Sequence, residues 1–125
     1  MHRSRLSSAI IDCNDLQEAS RFWSGALGVE VASEDPPYVF LRGGAGGLQV
    51  GLQLVPEPKA AKSPVHLDFE TDDLDAEVAR LEALGARRQR FVEHWGIMED
   101  PHGNEFCVVP RRPEEMPSDA ADWTA

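Results

Sequence analysis

Val65 to Leu74 reads V-H-L-D-F-E-T-D-D-L. Apolar and polar residues alternate through Glu70, so His66, Asp68 and Glu70 leave one face of an extended strand and Val65, Leu67 and Phe69 the other. The closing Asp73-Leu74 repeats Asp15-Leu16, which ends the stretch S-A-I-I-D-C-N-D-L from Ser8. The step from 8 to 66 equals the step from 15 to 73, and a fixed offset between two strand-to-helix units marks an internal duplication. At that offset Ser8 stands where the second copy carries His66.

Each copy reads as strand, helix and three strands. In the first, Leu6 to Cys13 is a strand with Ser8, Ile10 and Asp12 on one face. Asp15 with Glu18 three residues on predicts a capped helix start. Leu16, Ala19, Phe22, Trp23, Ala26 and Leu27 form a stripe that must face a sheet, and Gly28 ends the helix. Val29 to Ala32, Tyr38 to Arg42 and Leu48 to Val55 are the expected strands, with turns at Glu34-Asp35-Pro36-Pro37 and Gly43 to Gly47. That glycine run lacks the Gly-Lys-Ser/Thr ending of a phosphate loop and precedes a strand, which argues against the nucleotide reading. In the second copy Asp72 or Asp73 caps a helix carrying Leu74, Val78, Leu81 and Leu84, closed by Gly85. Arg87 to Val92, Gly96 to Glu99 and Glu105 to Val109 are its strands, the last two joined by the turn Asp100-Pro101-His102-Gly103-Asn104.

One domain over 1–112 is expected, with module one at 6–56, a Pro- and Lys-bearing linker at 57–64, module two at 65–110 and a flexible tail at 113–125 in which Trp123 is the residue able to dock. A net charge of -10 opposes binding to phosphate backbones and anionic lipid, so nucleic acid and membrane are not expected partners. No apolar run reaches spanning length, the start lacks a signal-peptide core, and two cysteines are too few for a disulfide framework, so a cytoplasmic location is expected.

The Asp15-Leu16 and Asp73-Leu74 pairs, Phe22-Trp23 with Leu27-Gly28, V-H-L-D at Val65 to Asp68 and D-P-H-G-N-E-F-C-V-V at Asp100 to Val109 resemble the vicinal oxygen chelate superfamily, the glyoxalase and bleomycin-resistance fold, and within it the glyoxalase-like domain proteins. The resemblance covers about Leu6 to Pro110. It implies an α+β fold in which two βαβββ modules form a curved mixed sheet with a concave ligand cavity. It also implies a metal position faced by Ser8, Gln53, His66 and Cys107. Gln53-Leu54-Val55-Pro56 parallels Cys107-Val108-Val109-Pro110, which aligns those two residues independently. The family's usual carboxylates are missing from these positions. His66, Gln53 and Cys107 are the candidate metal ligands, and the cofactor expectation is either none or one divalent ion. Asp12, Asp68, Glu70 and Glu105 share the pocket-facing parity and are candidates for the missing carboxylate.

The candidate ligand pocket is therefore Ser8, Asp12, Gln53, His66, Asp68, Trp95, Glu105 and Cys107. Trp95 either covers a ligand or packs; His66 is either a ligand-facing group or a hydrogen-bonded structural histidine; Cys107 reads as pocket wall more readily than as nucleophile. His94 and His102 read as exposed loop residues. Three functions are open: a metal-independent small-molecule-binding protein, which the missing carboxylates favour; a divalent-metal-dependent lyase, isomerase or dioxygenase; and a non-catalytic assembly or regulatory domain. A homodimer is expected from the resemblance.

Overall fold

A computed structural model describes residues 1–43 and 48–123. The elements are β1 (Ser8–Cys13), α1 (Leu16–Leu27), β2 (Val31–Asp35), β3 (Tyr38–Leu41), β4 (Gln49–Leu54), β5 (Leu67–Thr71), α2 (Leu74–Leu84), β6 (Arg87–Val92), β7 (Trp95–Glu99) and β8 (Glu105–Pro110), with a single 3-10 turn at Pro113–Glu115. They form two four-stranded mixed sheets of identical plan, β1-β4-β3-β2 and β5-β8-β7-β6. In each, the outer strand runs parallel to its neighbour (β1 with β4, β5 with β8) and the rest are antiparallel. The duplication predicted from the Asp-Leu pairs is present as two βαβββ units, and the fold is the α+β arrangement the resemblance implied.

Both helices begin and end by the same local chemistry. The Asp15 carboxylate accepts the Glu18 N–H, and the Asp73 carboxylate accepts the Ala76 N–H, each at 3.0 Å; Asp73, of the two candidate caps, is the one used. Gly28 (φ 70) and Gly85 (φ 118) close the helices in the left-handed region that a side chain resists. The α1 stripe buries Ala19, Phe22, Trp23 and Ala26 against Leu41, Leu52, Phe106 and Val108, all in one core cluster shared by the two modules. Trp23 meets Phe106 edge-on at 5.7 Å and stacks on Phe69 at 6.3 Å, so its ring lies where module two closes on module one.

Several boundaries differ from expectation. The second strand is Val31–Asp35, not Val29 to Ala32, because the Val29 N–H is taken by the Ser24 carbonyl in the helix C-cap. Its turn shrinks to Pro36-Pro37, joined by a cis peptide bond. β5 starts at Leu67, leaving Val65 and His66 just ahead of the ladder. The turn expected at Gly43 to Gly47 lies, from residue 44 onward, outside the described residues.

The turn between β7 and β8 fastens the halves. Asp100 is fully buried, and its carboxylate accepts four hydrogen bonds: the His102 and Asn104 N–H groups at one oxygen, the Trp23 indole N–H and the Asn104 side-chain amide at the other, at 2.9–3.0 Å. Asn104 also donates to the Asp12 carbonyl, and the Asn14 N–H donates to His102 Nδ1. His102 is therefore not the exposed loop residue of the sequence reading: its side chain is 9% exposed, with Nε2 3.2 Å from a Glu18 carboxylate oxygen. Tertiary docking against α1 overrides its loop position. Trp123 also docks, with the Arg80 guanidinium 3.7 Å from its ring centroid and its ring over Gly28, while Arg80 donates to the Gly25 and Ala26 carbonyls. Among the described residues no helix is long and apolar enough to cross a membrane.

Candidate functional site

The face of each sheet turned away from the helices follows from strand parity. On the second sheet, Asp68 stands opposite Cys107, and Cys107 opposite Ile97. Met98, Phe106 and Val108 occupy the alternate, core-facing rungs and are fully buried. His66, one pleat before Asp68, completes a group of three: one ligand atom each from His66, Asp68 and Cys107 lie within 4.8 Å of one another. His66 Nε2 and Asp68 Oδ1 are 3.2 Å apart. His66 and Asp68 are about half exposed, whereas Cys107 is buried.

Burial pushes the Cys107 thiol above its ordinary value of 9.0, and the Asp68 charge and a hydrogen bond to Asp68 push it the same way. A thiol so placed stays protonated at neutral pH and is a weak nucleophile. Lys62 of the linker pulls in the opposite direction, which places its ammonium within electrostatic reach of the site.

The group fits a borderline divalent ion. A tetrahedral zinc, with Zn–N and Zn–O bonds of about 2.0–2.2 Å, sets its nitrogen and oxygen ligands roughly 3.3–3.5 Å apart. The His66–Asp68 spacing is already close to that edge. Imidazole, carboxylate and thiolate supply three donors and leave a fourth position for water or ligand, the pattern of open zinc sites. Of the acids sharing the pocket parity, Asp68 is the one that joins the histidine and the cysteine.

The other candidates stand elsewhere. Glu105 lies on the Cys107 face of β8, but it is bound to the linker: Lys59 Nζ reaches its carboxylate at 2.5 Å and the Ser63 N–H at 3.2 Å. Burial would raise its pKa, and the bonds to Lys59, the backbone and Ser63 outweigh that and hold it below the ordinary carboxylate value. Glu70 is paired with Arg111 at 2.7 Å. Ser8, Asp12 and Gln53 lie on the first sheet, where Ser8 pairs with Gln49 and Asp12 with Gln53 across the parallel ladder. Trp95 opens β7 opposite Val92, half-buried, on the rung parity of Ile97 and Cys107.

The open face of the first sheet differs in character. Ile10, Gly51 and Phe40 are register partners across three strands. A Cβ on Gly51 would sit 2.7 Å from Ile10 Cδ1 and 2.8 Å from the Phe40 ring, so both side chains lie flat over the bare backbone. Tyr38 stacks beside Phe40 at 6.1 Å. Ile10 and His66 line opposite sides of one cleft of about 160 Å³ between the two sheets, together with Ser63, Val65 and Glu105. Sequence reading passed over Ile10, Phe40 and the linker residues Lys59, Lys62 and Ser63; the two lysines beside an otherwise acidic face were the available signal.

A family model described as glyoxalase-like domain matches residues 8–109. No curated protein matches the sequence. Among solved structures, a glyoxalase/bleomycin resistance protein/dioxygenase family enzyme from Burkholderia phytofirmans PsJN is similar at 19% identity and a TM-score of 0.70, over 86% of this chain and 98% of that one. A glyoxalase-related enzyme from Fulvimarina pelagi is similar at 16% identity and a TM-score of 0.71, over 98% and 100%. A mutant of the fosfomycin resistance protein FosX from Listeria monocytogenes, complexed with Mn(II) and 1S,2S-dihydroxypropylphosphonic acid, is similar at 17% identity and a TM-score of 0.66, over 86% and 90%. At these identities the likeness concerns the fold.

Proposed function

This chain belongs to the glyoxalase-like domain family, and from that premise we propose that it binds a small molecule in the trough between its sheets, centred on His66, Asp68 and Cys107. The observation that carries the reading is the convergence of three unlike polar groups at a face where two of them are half exposed and no core demands them. Polar side chains of this kind stay on a sheet face at a cost in packing, and that cost has a return when a ligand uses them.

A second reading is favoured by the His66–Asp68 spacing: the same three residues hold a divalent ion of the zinc kind, His66 through its imidazole, Asp68 through a carboxylate oxygen and Cys107 as thiolate. Such an ion supplies Lewis-acid polarisation of a ligand oxygen. The chain's own contribution is then positional. β5 and β8 fix Asp68 and Cys107, the residue ahead of β5 is His66, and Lys59 keeps Glu105 out of the set.

Two measurements test these readings. NMR spectra of 15N-labelled protein against small carboxylates, amines and neutral aromatics should show shifts gathered at Ile10, His66 and Cys107; shifts confined to other surfaces refute the trough. Calorimetric titration of chelator-treated protein with zinc chloride should give one ion per chain, lost in His66→Ala and Cys107→Ser; no heat with wild type refutes the metal. Pairing into a homodimer is part of the proposal, supported by the exposed apolar side chains of Leu54 and Leu84. Sedimentation that shows only monomer through the micromolar range removes it.

A further inference from the structure

The linker does more than connect the halves. Asn14 donates to the Val55 and Glu57 carbonyls and pins its start. Further on, Lys59 and the Ser63 N–H both grip Glu105 at the head of β8. The segment between them is thereby laid against the second sheet, two residues along β8 from Cys107. Lys62 is the neighbour of Ser63, is exposed, and makes no ion pair among the described residues. Its pull on the Cys107 thiol agrees with that placement.

The acids on this face are mostly paired, and Arg90, opposite Ile97 on the Cys107 rung, is a further exposed cation with no ion pair among the described residues. Glu105 is answered by Lys59, Glu70 by Arg111, Glu99 by Arg87 and Asp68 by His66, which leaves Asp12 on the first sheet. If a divalent ion is held, Asp68 and a Cys107 thiolate neutralise it. With or without the ion, Lys62 is the exposed cation beside the clasp, four positions before His66, that no ion pair among the described residues engages. Ile10 lines the far side of the cleft, and Phe40, stacked with Tyr38, continues its flat apolar face along the first sheet; Ile10 and Tyr38 remain 43% and 37% exposed.

We propose that Lys62 is a ligand-positioning residue, and that the ligand is a small oxyanion bearing a flat apolar group, the anion held at Lys62 beside His66 and the apolar group laid on Ile10 and Phe40. This rests on the trough reading above. It adds the charge and shape of the ligand, which that reading leaves open.

Calorimetry on zinc-supplemented full-length protein with phenylacetate, phenyl phosphate, acetate, benzyl alcohol and phenethylamine tests it. Phenylacetate or phenyl phosphate should bind about tenfold more tightly than benzyl alcohol, the return of a charge-assisted hydrogen bond. Phenylacetate should also exceed acetate by about tenfold, from the apolar area covered. Whichever of the two aryl anions binds more tightly assigns the carboxylate or phosphate form. Lys62→Met should abolish the preference for anions with zinc stoichiometry and thermal midpoint unchanged, and Phe40→Ala should abolish the preference for the aryl group. Equal binding of the aryl anions by wild type and Lys62→Met, or a wild-type preference for phenethylamine, overturns the proposal while the trough stands. If no probe of any charge binds, the trough reading falls with it.

Discussion

Replacing Asp100 with Asn is the most informative test of how the halves are joined. The carboxylate is fully buried and accepts four hydrogen bonds, two at each oxygen, one of them from the Trp23 indole of the other module. Asparagine keeps one oxygen and turns the other into an NH2 group, so two donors lose their acceptor and face a donor instead. Hydrogen bonds to a charged group contribute roughly 1.5–3 kcal/mol each, and taking the lower part of that range for two gives a loss of about 3–4 kcal/mol. For a domain of this size that is roughly 10–15 °C in melting temperature. Urea unfolding followed by tryptophan fluorescence reads the loss directly, because Trp23 sits at the joint. A shift of the urea midpoint equivalent to less than about 1 kcal/mol would mean that the turn does not hold the modules together, and the account of the joint would be wrong.

Glu105→Gln probes the linker clasp through pH. The Glu105 carboxyl ionises below its ordinary 4.5 in the fold, so its stabilising contribution is complete above that value and is lost as pH falls from there through the folded pKa. Wild type should exceed the variant in urea midpoint at pH 7, with the gap closing below about pH 4.5; a gap independent of pH contradicts the clasp. The raised Cys107 thiol should react slowly with iodoacetamide at pH 8, and Asp68→Asn should speed it by removing the neighbouring charge, with Cys13, also raised chiefly by burial, left slow. Peptide mass spectrometry distinguishes the two cysteines, and equal Cys107 rates in wild type and variant would exclude contact with Asp68.

The parts of this fold legible in the sequence are those governed by near neighbours. Asp15, Asp73, Gly28 and Gly85 act within one helical turn of themselves, and the α1 stripe needs only helical spacing to place Phe22 and Trp23 in the core. Strand parity likewise put Asp68 and Cys107 on one sheet face, with His66 one pleat ahead of Asp68. What parity does not carry is distance across a fold: it offered Asp12, Asp68, Glu70 and Glu105 alike, and it takes the positions of Lys59 and Arg111, and the place of Asp12 on the first sheet, to set Asp68 apart beside His66 and Cys107. His102 departs from its loop reading for the same reason, because its burial comes from α1 and the turn before it, 84 to 88 positions earlier, where Glu18 and Asn14 meet it. Val29 shows the converse, a strand-like residue captured by the cap next to it.

The joint at Trp23 and Asp100 bears on how such a molecule can be taken apart. Recognition between the halves is written into a shared core and a buried polar contact, and residues 57–64 add the Lys59 and Ser63 bonds to Glu105, which a cut between residues 59 and 63 would leave in place. Two polypeptides cut within that segment would still carry matching surfaces and should reassemble on mixing, like the two parts of a split reporter. A protein with this property can exchange halves between copies, and duplication of a self-pairing ancestor is a simple route to it.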